Sequence, residues 1–380
     1  MNPGSSEHVF LSALGGRLET KQALCGICNN HFSSSAGDNV DNELAAAFIA
    51  MRCALRIWTG RKQPPPTIQR AGTMADGSEF DLAPGFVPIL RPGKVPKNIT
   101  TGPTTLVARD ADDAKRLIGI LNKRGLKAEQ LTARAVSEKA PETRLRVMFD
   151  GPKITRTLAK TALTAACVLY GNAMVRRKAD WCLCLAVKSG TPDINDYAGW
   201  DYSQGWPTNI CWVPAEQCID KSMSGFEHAV MFSDVGDDWV AYVSLFGDFR
   251  FSVRLGKKSG LPPEGLAINP RGTKHSRLSG TFTVSEHFER HWNGRFSAEH
   301  ATVSAGVTGA FNSVLSRWQA ESRSELDEKR DQELGQALSA AGPDPGDIEK
   351  ATARLLGKWM TIELGDRWEE DLDPVSIDKK

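Results

Sequence analysis

The residues best suited to chemistry lie within the first thirty positions of the chain. They are a carboxylate beside an imidazole and, after a Gly-Gly pair, two thiols followed by an amide: Glu7, His8, Cys25, Cys28 and Asn29. A neutral imidazole can take a proton from water near pH 7, because its ordinary pKa is about 6.5. Carboxylate and amide oxygens suit a hard divalent cation, and cysteines at this spacing suit zinc. The carboxylate, the imidazole and the amide could together support hydrolysis with a bound metal ion, and the thiols could support the structure around it.

The order and spacing of these residues resemble those of the HNH endonuclease family. The shared pattern is Glu-His, then Ala-Leu-Gly-Gly at positions 13–16, then Leu-Cys-x-x-Cys-Asn at positions 24–29, with 21 residues from His8 to Asn29. Val40-Asp41 followed by Leu44-Ala45 is similar to the same branch of the family, so the specific resemblance covers about residues 5–48. It implies a small ββα-metal module, in which two strands and a helix surround the site.

The resemblance further implies a metal-dependent endonuclease that hydrolyses phosphodiester bonds in DNA. His8 would be the general base at the end of a strand, and Glu7 and Asn29 would hold the catalytic Mg²⁺ or Mn²⁺. Cys25 and Cys28 would supply half of a structural Zn²⁺ site, because such a site needs four ligands. DNA is the partner that this family implies, and the products would carry 5′-phosphate and 3′-hydroxyl ends.

Three departures from the family pattern leave a second function open. Related proteins carry another Cys-x-x-Cys upstream of Glu-His, whereas none of the seven residues before His8 is cysteine. Either the chain begins late or the motif holds without zinc. The Asn that normally orients the catalytic His is absent; Thr20 or Gln22 could offer an oxygen instead, and we take Thr20 as the candidate. Leu11 stands where Pro is usual. The alternative function is a catalytically degenerate, HNH-derived nucleic-acid-binding or sensor protein.

Charge is unevenly distributed along the chain. Residues 91–178 hold 19 Lys and Arg against 7 Asp and Glu, whereas residues 321–380 hold 9 against 16. A basic middle and an acidic end are typical of a nucleic-acid-binding protein, but two ordinary solvated surfaces would give the same counts. Lys153, Arg156 and Lys160 share one side of a predicted helix. They are candidates for contacts with DNA phosphates, and a solvated helix face is the alternative.

Apolar spacing predicts an α+β chain in three regions. The resemblance implies the HNH-like module with a trailing helix over residues 1–60; the apolar pattern predicts an α+β domain over residues 61–295 and a helical, acidic end over residues 296–380. The predicted helices are Asp38–Trp58, Ala111–Arg124, Lys153–Tyr170 and two that flank Pro343–Gly346. The predicted strands are a hairpin over 67–82, Thr104–Ala108, Arg144–Phe149 and an antiparallel meander over Ala229–Leu255. Alternation around Cys182 and Cys184 predicts one more strand, with both thiols facing inward.

The sequence also predicts the compartment. Its eight cysteines form no dense, regular framework, which is typical of a protein in a reducing cytosol. No apolar run approaches the ~20 residues that cross a bilayer, and Met1–Phe10 lacks the basic-then-apolar pattern of a signal peptide. We therefore expect a soluble, cytoplasmic protein.

Overall fold

The computed structural model describes residues 4–34, 37–74, 78–93, 95, 106, 108, 111–126, 151–202, 225–272, 275–279, 300–341 and 345–363. The chain divides into two compact units, one formed by residues 1–66 and 146–318 and the other by residues 67–145 and 319–380. Helices and antiparallel strands are mixed in it, which confirms the coarse α+β prediction. Within the described ranges, no helix combines the length and the apolar character that a membrane crossing requires.

The first unit begins with two strands and a helix. Strands β1 (Gly4–His8) and β2 (Glu19–Cys25) pair antiparallel, and helix α1 (Gly26–Ser33) follows β2 directly. A 3₁₀ turn at Ser12–Leu14 and Gly15, at φ 87°, connect the two strands. Gly15 suits this position because its left-handed conformation disfavours a side chain and because a Cβ would collide with backbone atoms of Pro270. The order strand, strand, helix is the one expected for this segment.

Two short helices replace the single helix predicted over Asp38–Trp58. They are α2 (Val40–Ala47) and α3 (Ile49–Ala54), and the chain leaves helical geometry between them at Phe48. The Phe48 ring is fully buried, with its centroid 5.2 Å from that of Phe246 and 4.8 Å from that of Phe249. Aromatic packing on the sheet therefore coincides with the break that periodicity alone did not indicate.

Helix α5 (Pro152–Tyr170) lies at the centre of the first unit, as predicted from its apolar stripe. Ile154, Leu158, Ala162 and Ala165 are buried in the core. Helices α6 (Asn172–Lys178) and α7 (Trp181–Ser189) follow it. The strand predicted around Cys182 and Cys184 is wrong. Asp180 caps a helix there, since its carboxylate accepts the N–H of Cys182 at 2.8 Å.

A six-stranded antiparallel sheet completes the core of the first unit. Its strand order is β11-β10-β7-β8-β9-β6. The strands are β6 (Ala198–Trp200), β7 (His228–Val235), β8 (Asp238–Leu245), β9 (Phe249–Lys257), β10 (Glu264–Ile268) and β11 (His275–Ser279). The meander predicted over Ala229–Leu255 is confirmed as β7, β8 and β9. Helix α5 packs against this sheet, and near the start of helix α8 (His300–Ala341) Val307, Ala310 and Val314 are also buried.

The second unit contains a three-stranded sheet and helices. Strands β3 (Ile68–Thr73), β4 (Glu79–Ala83) and β5 (Val87–Leu90) form an antiparallel meander, which confirms the predicted hairpin and adds one strand. The predicted helix at 111–124 is confirmed as α4 (Ala111–Lys123). The two final helices are confirmed as α8, of which residues 319–341 belong to this unit, and α9 (Pro345–Glu363). The strand predicted at Arg144–Phe149, and most of the one at Thr104–Ala108, lie outside the described residues.

Candidate active site

The side chain of Asn29 connects helix α1 to strand β1 by hydrogen bonds. Its Nδ2 donates hydrogen bonds to Ser5 Oγ and to the carbonyl of Ser6, each at 3.0 Å. The side chain therefore meets the strand one residue before Glu7. The amide nitrogen faces the backbone of β1, so Asn29 acts here as a hydrogen-bond donor that holds the helix in place.

His8 ends strand β1, and a carboxylate holds its ring. The strand register places Glu19 directly opposite His8, and Glu19 Oε1 lies 3.2 Å from His8 Nε2. The other ring nitrogen, Nδ1, is buried and has no hydrogen-bond partner among the described residues. Burial is the main cause that lowers the pKa of His8; Glu19 raises it, and Arg61 and Lys160 lower it further. A neutral ring with Nε2–H donated to Glu19 leaves the lone pair on Nδ1.

Thr20 does not take the place expected for it beside the imidazole. It lies opposite Glu7 in the register, and its Oγ1 accepts the backbone N–H of Gln22 at 3.1 Å. Successive side chains of a strand point to opposite faces, so Thr20 shares a face with Glu7 and Glu19 shares one with His8. The position expected for Thr20 is therefore wrong, because the side chain that contacts the imidazole is that of Glu19.

Glu7 lies in a buried cluster with a lysine and a second carboxylate. Lys160 Nζ is 2.7 Å from Glu7 Oε1 and 2.6 Å from Asp41 Oδ2, and the three side chains are at most 11% exposed. The ammonium group also lies 5.1 Å from the centroid of the Phe32 ring. Burial raises the pKa of Asp41, and Lys160 opposes that shift. We call Glu7, Lys160 and Asp41 the buried ion-pair cluster.

The expected pair of ligands, Glu7 and Asn29, does not fit a shared divalent cation as these side chains are placed. Glu7 faces Lys160, and the amide nitrogen of Asn29 faces the backbone of β1. Within the part of the chain that the structure describes, no group of three or more His, Cys, Asp and Glu side chains could hold a metal ion. Mg²⁺ prefers several oxygen ligands in near-octahedral geometry, which these contacts do not offer.

The basic side of α5 is largely internal, so the prediction of a phosphate-contacting or solvated face has to be corrected. Lys160 and Arg156 are both buried. Arg156 Nη2 pairs with Asp38 Oδ2 at 2.6 Å, and its Nε donates to the carbonyl of Val187 at 2.9 Å. Of the three residues, only Lys153 has a substantially exposed side chain, 3.4 Å from Glu43. Two cations of α5, Arg156 and Lys160, therefore form ion pairs with carboxylates of the N-terminal segment.

Cys25 and Cys28 lie together at the start of α1 as free thiols. The backbone N–H of Cys28 hydrogen-bonds to the thiol of Cys25 and is the main cause that lowers its pKa, whereas burial raises the pKa of Cys28. In the described residues the pair has no third His, Cys, Asp or Glu beside it to complete a metal site. Two cysteines could supply at most two of the four ligands of a structural zinc site, and Zn²⁺ binding stays a prediction.

No protein-family model matches this chain, and no curated protein or solved structure is significantly similar to it.

Sequence reasoning missed the partners of both members of the Glu-His motif. Glu19 is the only carboxylate between His8 and Cys25, and this could have marked it as the partner of the imidazole. The sequence predicts a surface position for Lys160, because a lysine on a helix is usually solvated. Its distance of 153 residues from Glu7 left no local signal.

His228 is a further residue that no motif indicated. It is fully buried, its Nε2 lies 3.0 Å from the carbonyl oxygen of Leu14, and its Nδ1 accepts the N–H of Phe246 at 3.1 Å. Nε2 therefore carries the proton and donates to Leu14. Burial lowers the pKa of His228 to about 4. This neutral ring fastens the loop between β1 and β2 to the sheet.

Proposed function

We propose that the chain is an HNH-type phosphodiester hydrolase acting on DNA, with His8 as the general base. The supporting observation is the His8–Glu19 pair at the end of β1, in a segment with the strand, strand, helix order of a ββα module. Glu19 holds Nε2, and Nδ1 is left without a hydrogen-bond partner in the described ranges. A base needs such an unoccupied nitrogen on an oriented ring.

The proposed reaction is the attack of water on a DNA phosphate. His8 Nδ1 takes a proton from the water as its oxygen bonds to phosphorus, and the bond from phosphorus to the 3′ oxygen breaks. The departing 3′ oxygen takes a proton from solvent water to become a 3′-hydroxyl, the phosphate remains on the 5′ end, and the His8 imidazolium later returns its proton to solvent. Glu19 accepts the hydrogen bond of Nε2–H and stabilises the imidazolium that forms. Because Nδ1 is buried, water reaches it only after neighbouring side chains move.

Dependence on Mg²⁺ or Mn²⁺ is the part of the prediction that the side chains support least. The ion would supply charge stabilisation at the phosphate and help for the departing oxygen. Glu7, the carboxylate expected to hold it, faces Lys160 instead. The steps proposed for His8 and Glu19 do not depend on that ligand.

The second candidate function is a catalytically degenerate, HNH-derived protein that binds nucleic acid or acts as a sensor without cutting. The buried ion-pair cluster favours it, because an expected metal ligand is neutralised by an internal cation. The buried position of His8 Nδ1 favours it as well. Both candidate functions assume the same ββα module. They differ in whether His8 takes a proton from water in a reaction.

A nicking assay separates the two functions. Supercoiled plasmid would be incubated with the wild-type protein and with His8→Ala, each with Mg²⁺, Mn²⁺ or EDTA. We expect the wild type to nick and His8→Ala to be at least ~100-fold slower, the usual contribution of a general base. Equal nicking by both proteins would assign the cutting to a contaminant. A wild type that shifts labelled DNA in a gel but does not nick it would favour the second candidate.

A further inference from the structure

The buried ion-pair cluster has the composition of a cation site. Two carboxylate oxygens, one from β1 and one from α2, lie within 2.7 Å of a single positive group. The face of an aromatic ring lies 5.1 Å from the same group, which also favours a cation. Glu7 and Asp41 are both buried, so neither charge is compensated by bulk water.

One oxygen of Asp41 is not used by Lys160. Oδ2 faces the ammonium group, whereas Oδ1 is buried on the side of Thr157, whose hydroxyl lowers the pKa of Asp41. Hard divalent cations accept one or both oxygens of a carboxylate at about 2.0–2.6 Å. The oxygens of Glu7 and Asp41 that flank Nζ would need to approach by only a few tenths of an ångström to bind such an ion.

We infer that Lys160 fills a two-carboxylate cation site and that its ammonium group keeps divalent metal ions off Glu7. Lys160 belongs to the same chain as the two carboxylates, so its effective concentration beside them is high. A free metal ion therefore has to compete with the ammonium group for Glu7 and Asp41. Displacing it would also leave a buried ammonium group without its partners, which is strongly unfavourable. This inference goes beyond the proposed function, because it concerns which cation Glu7 binds and not whether His8 is a base.

The inference predicts that a neutral side chain at position 160 creates a metal site. Lys160→Met keeps most of the length and volume of the lysine and leaves Glu7 and Asp41 without their cation. Mn²⁺ would be titrated into each protein without DNA and followed by electron paramagnetic resonance. We expect Lys160→Met to bind one Mn²⁺ at least ~10-fold more tightly than the wild type, since two carboxylates become available to it. Adding Asp41→Asn should abolish that gain.

A matched control comes from the same helix. Lys153→Met removes an exposed cation of α5 and should leave Mn²⁺ binding at the wild-type level. If folded Lys160→Met binds Mn²⁺ no better than Lys153→Met, the inference is overturned. The circular dichroism spectrum of each variant would establish that it is folded before titration.

Wild-type protein provides a test that does not depend on the folding of Lys160→Met. We expect the wild type and Glu7→Gln to bind Mn²⁺ equally, because Glu7 is already occupied. Weaker Mn²⁺ binding by Glu7→Gln would show that Glu7 is a metal ligand in the native protein and would overturn the inference. Nicking plays no part in this readout, so failure of the proposed nuclease activity and failure of this inference are distinguishable.

Discussion

Glu7 and His8 are neighbours in the sequence, yet the two faces of strand β1 give them opposite surroundings. On one face, His8 is held by Glu19, whose side chain is 47% exposed, and one ring nitrogen has no partner in the described part of the chain. On the other face, Glu7 is buried and its charge is compensated by Lys160. The two residues of one motif therefore have different environments, because adjacent side chains of a strand point to opposite faces.

The largest effect is expected on stability, when the buried cation Lys160 is removed. Lys160→Ala leaves two buried carboxylates without a partner and should lower the free energy of unfolding by about 3–5 kcal/mol. Urea denaturation followed by circular dichroism would measure this change. Lys153→Ala, an exposed residue of the same helix, should change stability by less than about 0.5 kcal/mol. A similar small change for both variants would contradict the internal role of Lys160.

The second prediction concerns His228, which fastens the loop between β1 and β2 to the sheet. Its pKa in the folded protein is about 4, below the ordinary value of 6.5. As the pH falls, His228 is therefore protonated in the unfolded chain before it is protonated in the folded protein. The stabilisation that comes from burying a neutral His228 is complete above pH 6.5 and is lost progressively towards pH 4. The loss should reach about 3 kcal/mol.

Unfolding measured from pH 7.5 to 4 in the wild type and in His228→Gln would check this pH dependence. The variant cannot titrate at position 228, so its stability should fall less steeply over the same range. Parallel curves for the two proteins would show that the buried ring does not control the acid sensitivity of the hairpin.

The third prediction tests whether Glu19 acts through His8. Glu19→Gln keeps the size of the side chain and removes its charge, so we expect nicking to slow by roughly 10-fold, as for other residues that orient a reactive group. The change should appear in kcat rather than in DNA affinity. Thr20→Val, on the opposite face, should nick at the wild-type rate. Equal slowing in both variants would mean that the hairpin as a whole, and not the carboxylate, supports activity.

The smallest effect is expected at the cysteine pair, which lies at the start of α1. The amide of Cys28 lowers the pKa of Cys25, so Cys25 should carry more thiolate and react with iodoacetamide before Cys28 does. Peptide mass spectrometry after brief labelling at pH 7.5 would show the order. Buried Cys53 and Cys167 should react only after unfolding. Labelling of Cys28 first would contradict the assigned hydrogen bond.

The elements with a long apolar pattern were predictable from sequence. Helix α5 and the meander β7–β9 match their predictions, because buried faces repeat at the period of each element. The segment around Cys182 was misread, since a short apolar run fits a helix as well as a strand and the decisive signal was the Asp180 cap. The break at Phe48 was missed because it involves packing on residues that are distant in sequence.

The candidate site was predictable in its composition but not in its pairings. The motif placed His8 at the end of a strand and Asn29 on the next helix, and the structure agrees with both positions. Strand register decided that Glu19 and not Thr20 faces the imidazole, and register depends on turn geometry that the sequence shows only weakly. The burial of Lys160 and Arg156 depends on contacts more than 100 residues away along the chain.

The buried ion-pair cluster has a consequence for how the protein is made. Glu7 and Asp41 emerge from the ribosome 153 and 119 residues before Lys160, the cation that neutralises them. Contacts of such long sequence separation form slowly, because a large loop must close first. The N-terminal segment therefore reaches its final form only after α5 has been synthesised. A fragment ending near residue 60 should not fold by itself into a stable module.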